Sequence, residues 1–310
     1  FANPWLAEQE DQARLDLAQL VAEGDRLAFS TDSYVIDPLF FPGGNIGKLA
    51  ICGTANDVAV SGAIPRYLSC GFILEEGLPM ETLKAVVTSM AETARAAGIA
   101  IVTGDTKVVQ RGAADKLFIN TAGMGAIPAN IHWGAQTLTA GDVLLVSGTL
   151  GDHGATILNL REQLGLDGEL VSDCAVLTPL IQTLRDIPGV KALRDATRGG
   201  VNAVVHEFAA ACGCGIEISE AALPVKPAVR GVCELLGLDA LNFANEGKLV
   251  IAVERNAAEQ VLAALHSHPL GKDAALIGEV VERKGVRLAG LYGVKRTLDL
   301  PHAEPLPRIC

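Results

Sequence analysis

Gly141-Asp142-Val143-Leu144-Leu145-Val146-Ser147 divides the chain. A glycine–acid turn followed by four apolar residues reads as a buried strand that restarts a strand–helix pattern. The boundary between two lobes therefore falls near residue 138. Upstream, 27–30 and 34–36 read as strands flanking an acidic turn, 48–61 as a helix of small residues and 66–73 as a strand. A long amphipathic helix over 79–97, a short strand over 100–102 and another over 117–127 complete that half. Downstream, helices are expected at 154–164, 176–186, 199–212, 227–236 and 257–265. Strands are expected there at 216–218, 248–253, 275–281 and 286–288. The pattern is α/β followed by α+β: lobes over 1–138 and 139–298, then a tail over 299–310.

The 310 residues suit two cores of ordinary size. Hydrophobic residues make up 49% and charged residues 20%, which excludes wholesale disorder. Aromatics are scarce, so Ala, Val, Leu and Ile build the core, with 33 glycines at turns. A net charge of −11 with no basic stripe argues against nucleic acid. No apolar run approaches the roughly 18 residues of a membrane span. Phe1-Ala2-Asn3-Pro4-Trp5 lacks both a signal-peptide pattern and an initiator Met, so the natural N-terminus is expected to lie upstream. Seven dispersed cysteines fit reduced thiols in the cytoplasm rather than a disulfide framework. Cys212-Gly213-Cys214 has no second Cys or His pair nearby and reads as a helix end, not a metal site.

Candidate chemistry lies in polar turns. Thr31-Asp32-Ser33, Asn56-Asp57 and Gly104-Asp105-Thr106-Lys107 each set a carboxylate beside Thr, Asn or Lys. Hard oxygen ligands of this kind suit Mg²⁺ with nucleotide phosphates, and Lys107 can meet a phosphoryl oxygen or a developing negative charge. Thr197-Arg198-Gly199-Gly200 opens a helix whose Val201, Val204, Val205 and Phe208 share one face. Its free N–H groups and Arg198 can receive an anion, or the loop can be an ordinary helix start capped by Asp195 or Thr197. Asn245-Glu246-Gly247 presents a carboxylate at a strand start, suited to a general base. Gly148-Thr149-Leu150-Gly151-Asp152-His153-Gly154 is a weaker phosphate-type loop in which His153 reads as a loop residue. The tail from Pro301 to Cys310 carries three prolines, favouring an extended mobile arm with a thiol at its tip and a reach of roughly 30 Å.

Taken together, these motifs resemble the ATP-using superfamily of aminoimidazole ribonucleotide synthetase, selenophosphate synthetase and thiamine monophosphate kinase. With the ending Pro307-Arg308-Ile309-Cys310, the whole chain is similar to the HypE family, the carbamoyl dehydratases of nickel–iron hydrogenase maturation. The resemblance implies that HypF carbamoylates Cys310. ATP then phosphorylates the carboxamide oxygen, loss of phosphate and a proton gives a thiocyanate, and HypC–HypD accepts the cyanide. It further implies Asp32, Asp57 and Asp105 as Mg–ATP carboxylates with Asn56 beside them, and Thr197, Arg198, Gly199 and Gly200 as the phosphate turn. Lys107 and Glu246 are both candidates to orient the carboxamide and take its protons. The implied fold has two lobes, with N-terminal strands pairing across a homodimer into a barrel and ATP between the lobes. A glycine-rich segment that closes over the nucleotide in the family would precede Phe1, so weak nucleotide binding is expected of these residues alone.

Overall fold

A computed structural model describes residues 1–166, 168, 170–301 and 306–310. Part of the expected mobile tail, 302–305, lies outside the described residues. The chain forms two compact units. One comprises Phe1–Ile131 with Cys174–Thr178 and Cys310; the other comprises His132–Asp173 with Pro179–Ile309.

The first unit runs α1 (Pro4–Ala7), α2 (Leu17–Glu23), β1 (Arg26–Tyr34), β2 (Phe40–Phe41), β3 (Gly44–Asn45), α3 (Ile46–Ala59), β4 (Ile64–Glu75), α4 (Met80–Ala97), β5 (Ala100–Val109) and β6 (Leu117–Ile127). Its four-stranded sheet has the order β1-β6-β4-β5. Neighbours are antiparallel except β4 and β5, whose parallel pairing follows from the α4 crossover between them. The Asn45 side chain starts α3 by accepting from the Gly47 and Lys48 N–H groups. Small residues let α3 sink against β1, β6 and α4 until only Lys48 and Asp57 escape full burial. A side chain at Gly53 would put its Cβ 2.4 Å from the Tyr34 hydroxyl, so only glycine permits that approach. The other face of the sheet leaves Leu27, Phe29 and Ile73 exposed.

Two expectations need correction. β1 is one continuous strand, not two strands around a turn, and Asp32 pairs with Thr121 in mid-strand. β5 continues to Val109, so Asp105 and Lys107 lie within a strand rather than in a turn at its end. In both cases long partner strands, β6 and β4, supply the ladder that local propensity alone would not.

The second unit adds β7 (Val143–Val146), α5 (Asp152–Glu162), α6 (Thr178–Gln182), β8 (Val190–Asp195), α7 (Gly200–Cys212), β9 (Gly215–Ser219), α8 (Pro227–Leu236), β10 (Leu249–Val253), α9 (Ala258–His266), β11 (Ala275–Val281), β12 (Gly285–Ala289) and β13 (Lys295–Thr297). Their sheet has the order β13-β12-β9-β11-β7-β10-β8. Val201, Val204, Val205 and Phe208 of α7 pack into a core with Leu144 and Val146 of β7 and Val250 of β10. The helix expected over 176–186 shortens to α6, and 183–187 continue as single turns. β8 escapes a periodicity reading because Lys191 and Arg194 interrupt its apolar run.

Candidate functional site

In the first unit, α3 and β1 bring two carboxylates to the helix-covered side of the sheet. Ser30 and Asp32 stand two residues apart on one strand and so share a face. The Ser30 hydroxyl donates to Asp57 Oδ2 at 2.6 Å, tying α3 to that face. The Tyr34 hydroxyl lies 3.3 Å from Asp32 Oδ2 and 3.0 Å from Thr54 Oγ1, which is itself 2.6 Å from Thr121 Oγ1. Asp32 and Asp57 are thus half-buried acids fixed by hydroxyl groups. Two such carboxylates are hard oxygen donors of the kind Mg²⁺ takes.

Asp105 does not join them. The register places Asp32, Thr121, Cys70 and Gly104 in one row across the sheet, so Asp105 stands about three strand spacings, or ~14 Å, away. Opposite it lie Gly71 and then Asn120, whose amide reaches the Ser33 hydroxyl, so Asp105 and Lys107 occupy the uncovered face. There they form an exposed ion pair at 3.1 Å. The Lys107 ammonium, with the Thr106 N–H, holds the Asp105 carboxyl below the usual range. Among the described residues no three His, Cys, Asp or Glu side chains gather closely enough to cage a metal. Asn56 has another task. Its amide donates to the Ala175 carbonyl at 3.0 Å and accepts from the Leu177 N–H at 2.8 Å, clamping a distant backbone segment.

Cys310 belongs to this unit. The Val35 N–H donates to its carbonyl at 2.9 Å, three residues along the chain from Asp32. Burial raises two further thiols of the chain, Cys70 to about 12 and Cys233 to about 11.

In the second unit, Glu246 is 2% exposed, buried rather than presented at an open strand start. Its turn is organised by Asp173, a residue that sequence reasoning missed. The Asp173 carboxylate accepts from the Glu246 N–H at 3.1 Å and the Gly247 N–H at 3.3 Å, and meets Lys248 Nζ at 3.2 Å. Asn245 completes the turn by accepting from the Gly151 N–H and donating to the Ala196 and Phe243 carbonyls. Thr197–Gly200 form the tight start of α7, with Gly199 and Gly200 both left-handed. A Cβ on Gly200 would stand 2.4 Å from the Leu241 carbonyl oxygen and 2.5 Å from that of Phe243. The backbone approach that requires this glycine is therefore the protein's own, while Arg198 remains on the surface.

The tail end is seated rather than extended. Leu306 and Ile309 are 4% and 2% exposed. His153, expected as a loop residue, is buried in the first turn of α5, with Nε2 2.8 Å from the Ile309 carbonyl and Nδ1 2.7 Å from the Ser172 hydroxyl. A carbonyl only accepts, so Nε2 carries the proton and Nδ1 accepts from Ser172. Arg161 donates from Nη1 to the Pro307 carbonyl at 2.8 Å and from Nη2 to the Arg308 carbonyl. Arg308 is left-handed at φ 55°, a conformation costing about 1–2 kcal/mol in a non-glycine residue.

Burial holds His153 below its ordinary value, outweighing the Ile309 carbonyl and Asp173, with Arg161 acting in the same direction as burial. An unfolded imidazole protonates near ~6.5 while the native ring resists. Stability is therefore expected to fall as pH drops below about 6.5 toward the lower native value. Thermal melts of His153→Gln between pH 8 and 5 should lose that slope; an unchanged slope would refute the assignment.

Residues 9–127 match the N-terminal domain of AIR synthase related proteins, and 139–290 match the C-terminal domain. Carbamoyl dehydratase HypE of Escherichia coli (strain K12) is 99% identical over 310 residues, spanning all of this chain and 92% of that protein. The chain belongs to the HypE family of carbamoyl dehydratases. The HypE of Rhodobacter capsulatus is 51% identical over 97% of this chain and 89% of its own. Two solved structures extend the HypE comparison, each 46% identical. A HypE in complex with ATP matches at TM-score 0.94, covering 99% of this chain and 92% of that one. A HypE–HypF complex matches at 0.87, covering 97% and 96%.

Proposed function

We propose that this chain dehydrates a carbamoyl group carried on the Cys310 thiol, using ATP, to give a protein thiocyanate that supplies cyanide for hydrogenase maturation. The observation that carries the site assignment is the Val35 N–H to Cys310 carbonyl bond, which brings the thiol-bearing residue to the strand that holds Asp32. An amide oxygen leaves poorly. Transfer of the γ-phosphoryl group to that oxygen, with loss of one of the two N–H protons, releases ADP. Loss of phosphate from carbon and of the remaining N–H proton then leaves S–C≡N. The atoms balance as one water removed and one ATP converted to ADP and phosphate.

Asp32 and Asp57 are the residues that would hold Mg²⁺, which would offset phosphate charge. Thr197, Arg198, Gly199 and Gly200 form the phosphate turn, while Asn56 is committed to the clamp on Ala175 and Leu177. Lys107, reaching in from a second copy, and Glu246 orient the carboxamide and take its protons. Asp105 and Lys107 lie on the uncovered sheet face, with exposed Ile73 paired to Lys107 and exposed Leu27 and Phe29 on the far edge strand, a surface suited to a second copy. A homodimer whose sheets close into a barrel would let one protomer's Asp105 serve its partner's site. HypF donates the carbamoyl group and HypC–HypD accepts the cyanide. No helix among the described residues is long and apolar enough to cross a membrane. Seven unbridged cysteines fit the reducing cytoplasm. We assign residues 1–138 to nucleotide binding and dimerisation, 139–298 to the second lobe and 299–310 to the substrate arm.

Carbamoylated protein incubated with Mg–ATP should lose one water from its Cys310 peptide by mass spectrometry, and only when ATP is present. A peptide unchanged under turnover conditions overturns the reading.

A further inference from the structure

α7 ends in a pair of thiols that the dehydration chemistry leaves unused. Cys212 is the last residue of the helix, Gly213 its left-handed cap at φ 71°, and Cys214 the residue after it. A Cβ on Gly213 would meet nothing within 4 Å, so glycine stands there for its backbone angle. Such a bend between consecutive steps of about 3.8 Å sets the Cα atoms of Cys212 and Cys214 roughly 5.5 Å apart, within the span of a disulfide. Burial is the largest influence on the Cys212 thiol and raises it. Cys214 acts on it as well, its N–H downward and its thiol upward, so both groups lie beside the Cys212 sulfur. Cys212 Sγ is 3.7 Å from the Ala209 carbonyl, which already accepts the Gly213 N–H at 3.0 Å. Giving up the S–H therefore orphans no acceptor. Both cysteines are half-buried against the core of the lobe, whereas Cys52, Cys70 and Cys174 are buried. Among the described residues no third His, Cys, Asp or Glu joins them, so the pair is not a zinc cage.

We propose that Cys212 and Cys214 are a reversible dithiol–disulfide pair that exchanges with small-molecule disulfides such as oxidised glutathione. One cysteine thiolate attacks a sulfur of the oxidant, whose S–S bond breaks as one glutathione thiolate leaves. The second cysteine, its proton lost to solvent, attacks the mixed disulfide and expels the other glutathione thiolate. Two protein thiols are oxidised, one small disulfide is reduced, and two protons pass to the departing thiolates. A bridge across a single residue closes a small ring, and strained bridges of this kind are readily reduced again. Reduced glutathione therefore reopens it. The closed bridge pins the corner where α7 turns into β9, and oxidation ends inside the chain instead of in a lasting adduct.

The test equilibrates the full chain in glutathione buffers of varied ratio, alkylates it with iodoacetamide and maps its tryptic peptides by mass spectrometry. Residues 199–230 hold Cys212 and Cys214 and no other cysteine. As the buffer becomes oxidising, their peptide should lose the mass of two hydrogens and take up neither alkyl group. Excess reduced glutathione should restore both alkyl groups. Cys212→Ser and Cys214→Ser should each instead retain one glutathionyl group on the remaining thiol. A parent peptide that stays doubly alkylated at every ratio overturns the proposal. So does a glutathionyl group that persists in the parent, a bridge to any other cysteine, or a bridge that excess reduced glutathione leaves closed.

Discussion

Cys310→Ala is expected to form no thiocyanate at any ATP concentration while binding ATP as the parent does. The first half follows from chemistry. The product is covalently attached to the thiol, and no other group replaces a sulfur that is itself part of the substrate. The remaining cysteines offer no substitute: Cys52, Cys70 and Cys174 are buried, and burial pushes Cys70 to about 12 and Cys233 to about 11, leaving little thiolate near neutrality. The second half follows from the contacts. The bond from the Val35 N–H goes to the backbone oxygen of Cys310, which alanine retains. Peptide mapping for cyanylation and calorimetric titration with ATP check the two halves. Thiocyanate on another cysteine, or loss of nucleotide affinity, would each contradict the substrate role.

Asp173→Asn is expected to be the most destabilising conservative change in the second unit. Asp173 and Lys248 have side chains 3% and 11% exposed, so neutralising the acid leaves an ammonium buried without its counter-charge. Breaking such a pair typically costs about 3–5 kcal/mol, which for a domain of this size lowers its melting temperature by about 10 °C. Burial on its own would raise the Asp173 carboxyl. Lys248, His153 and the Glu246 N–H outweigh it and hold the group below the usual carboxylate range. The sign is then fixed: this stabilisation is complete above the unfolded value of roughly 4 and disappears as pH falls through the lower native value. The variant should therefore lose stability at neutral pH and show a flatter acid limb below about pH 4. Adding Lys248→Met should restore part of the loss by removing the orphaned charge. A melting temperature within 1 °C of the parent, measured by calorimetry at neutral pH, would show the pair to be dispensable.

Elements with strong periodicity were legible from the residues alone. β6, α8 and β11 have the bounds their patterns imply, because turn residues punctuate both ends. Asp57 was correctly placed on a helix of small residues. Asp32 and Asp105 were misread as turn residues, since Ser, Thr, Gly and Asp carry turn propensity and nothing local announces a waiting partner strand. The resemblance named the carboxylates but not their separation across the sheet, which depends on strand order. What escaped entirely is non-local. His153 meets a carbonyl 156 residues away, Arg161 one 146 away, and Asp173 organises a turn more than 70 residues downstream. No window of sequence contains both ends of such a contact.

The clamp made by Asn56 also bears on biosynthesis. The first unit is not finished when residue 131 leaves the ribosome, because Cys174–Thr178 are part of it and both ends of the Asn56 amide are waiting for Ala175 and Leu177. At roughly 5–20 residues per second, the further 47 residues to Thr178 take about 2–9 s to synthesise. During that interval α3 sits on its sheet with a buried amide whose partners do not yet exist. The nascent lobe is thus an open vessel for several seconds, and a fragment cut at residue 131 would keep it so permanently.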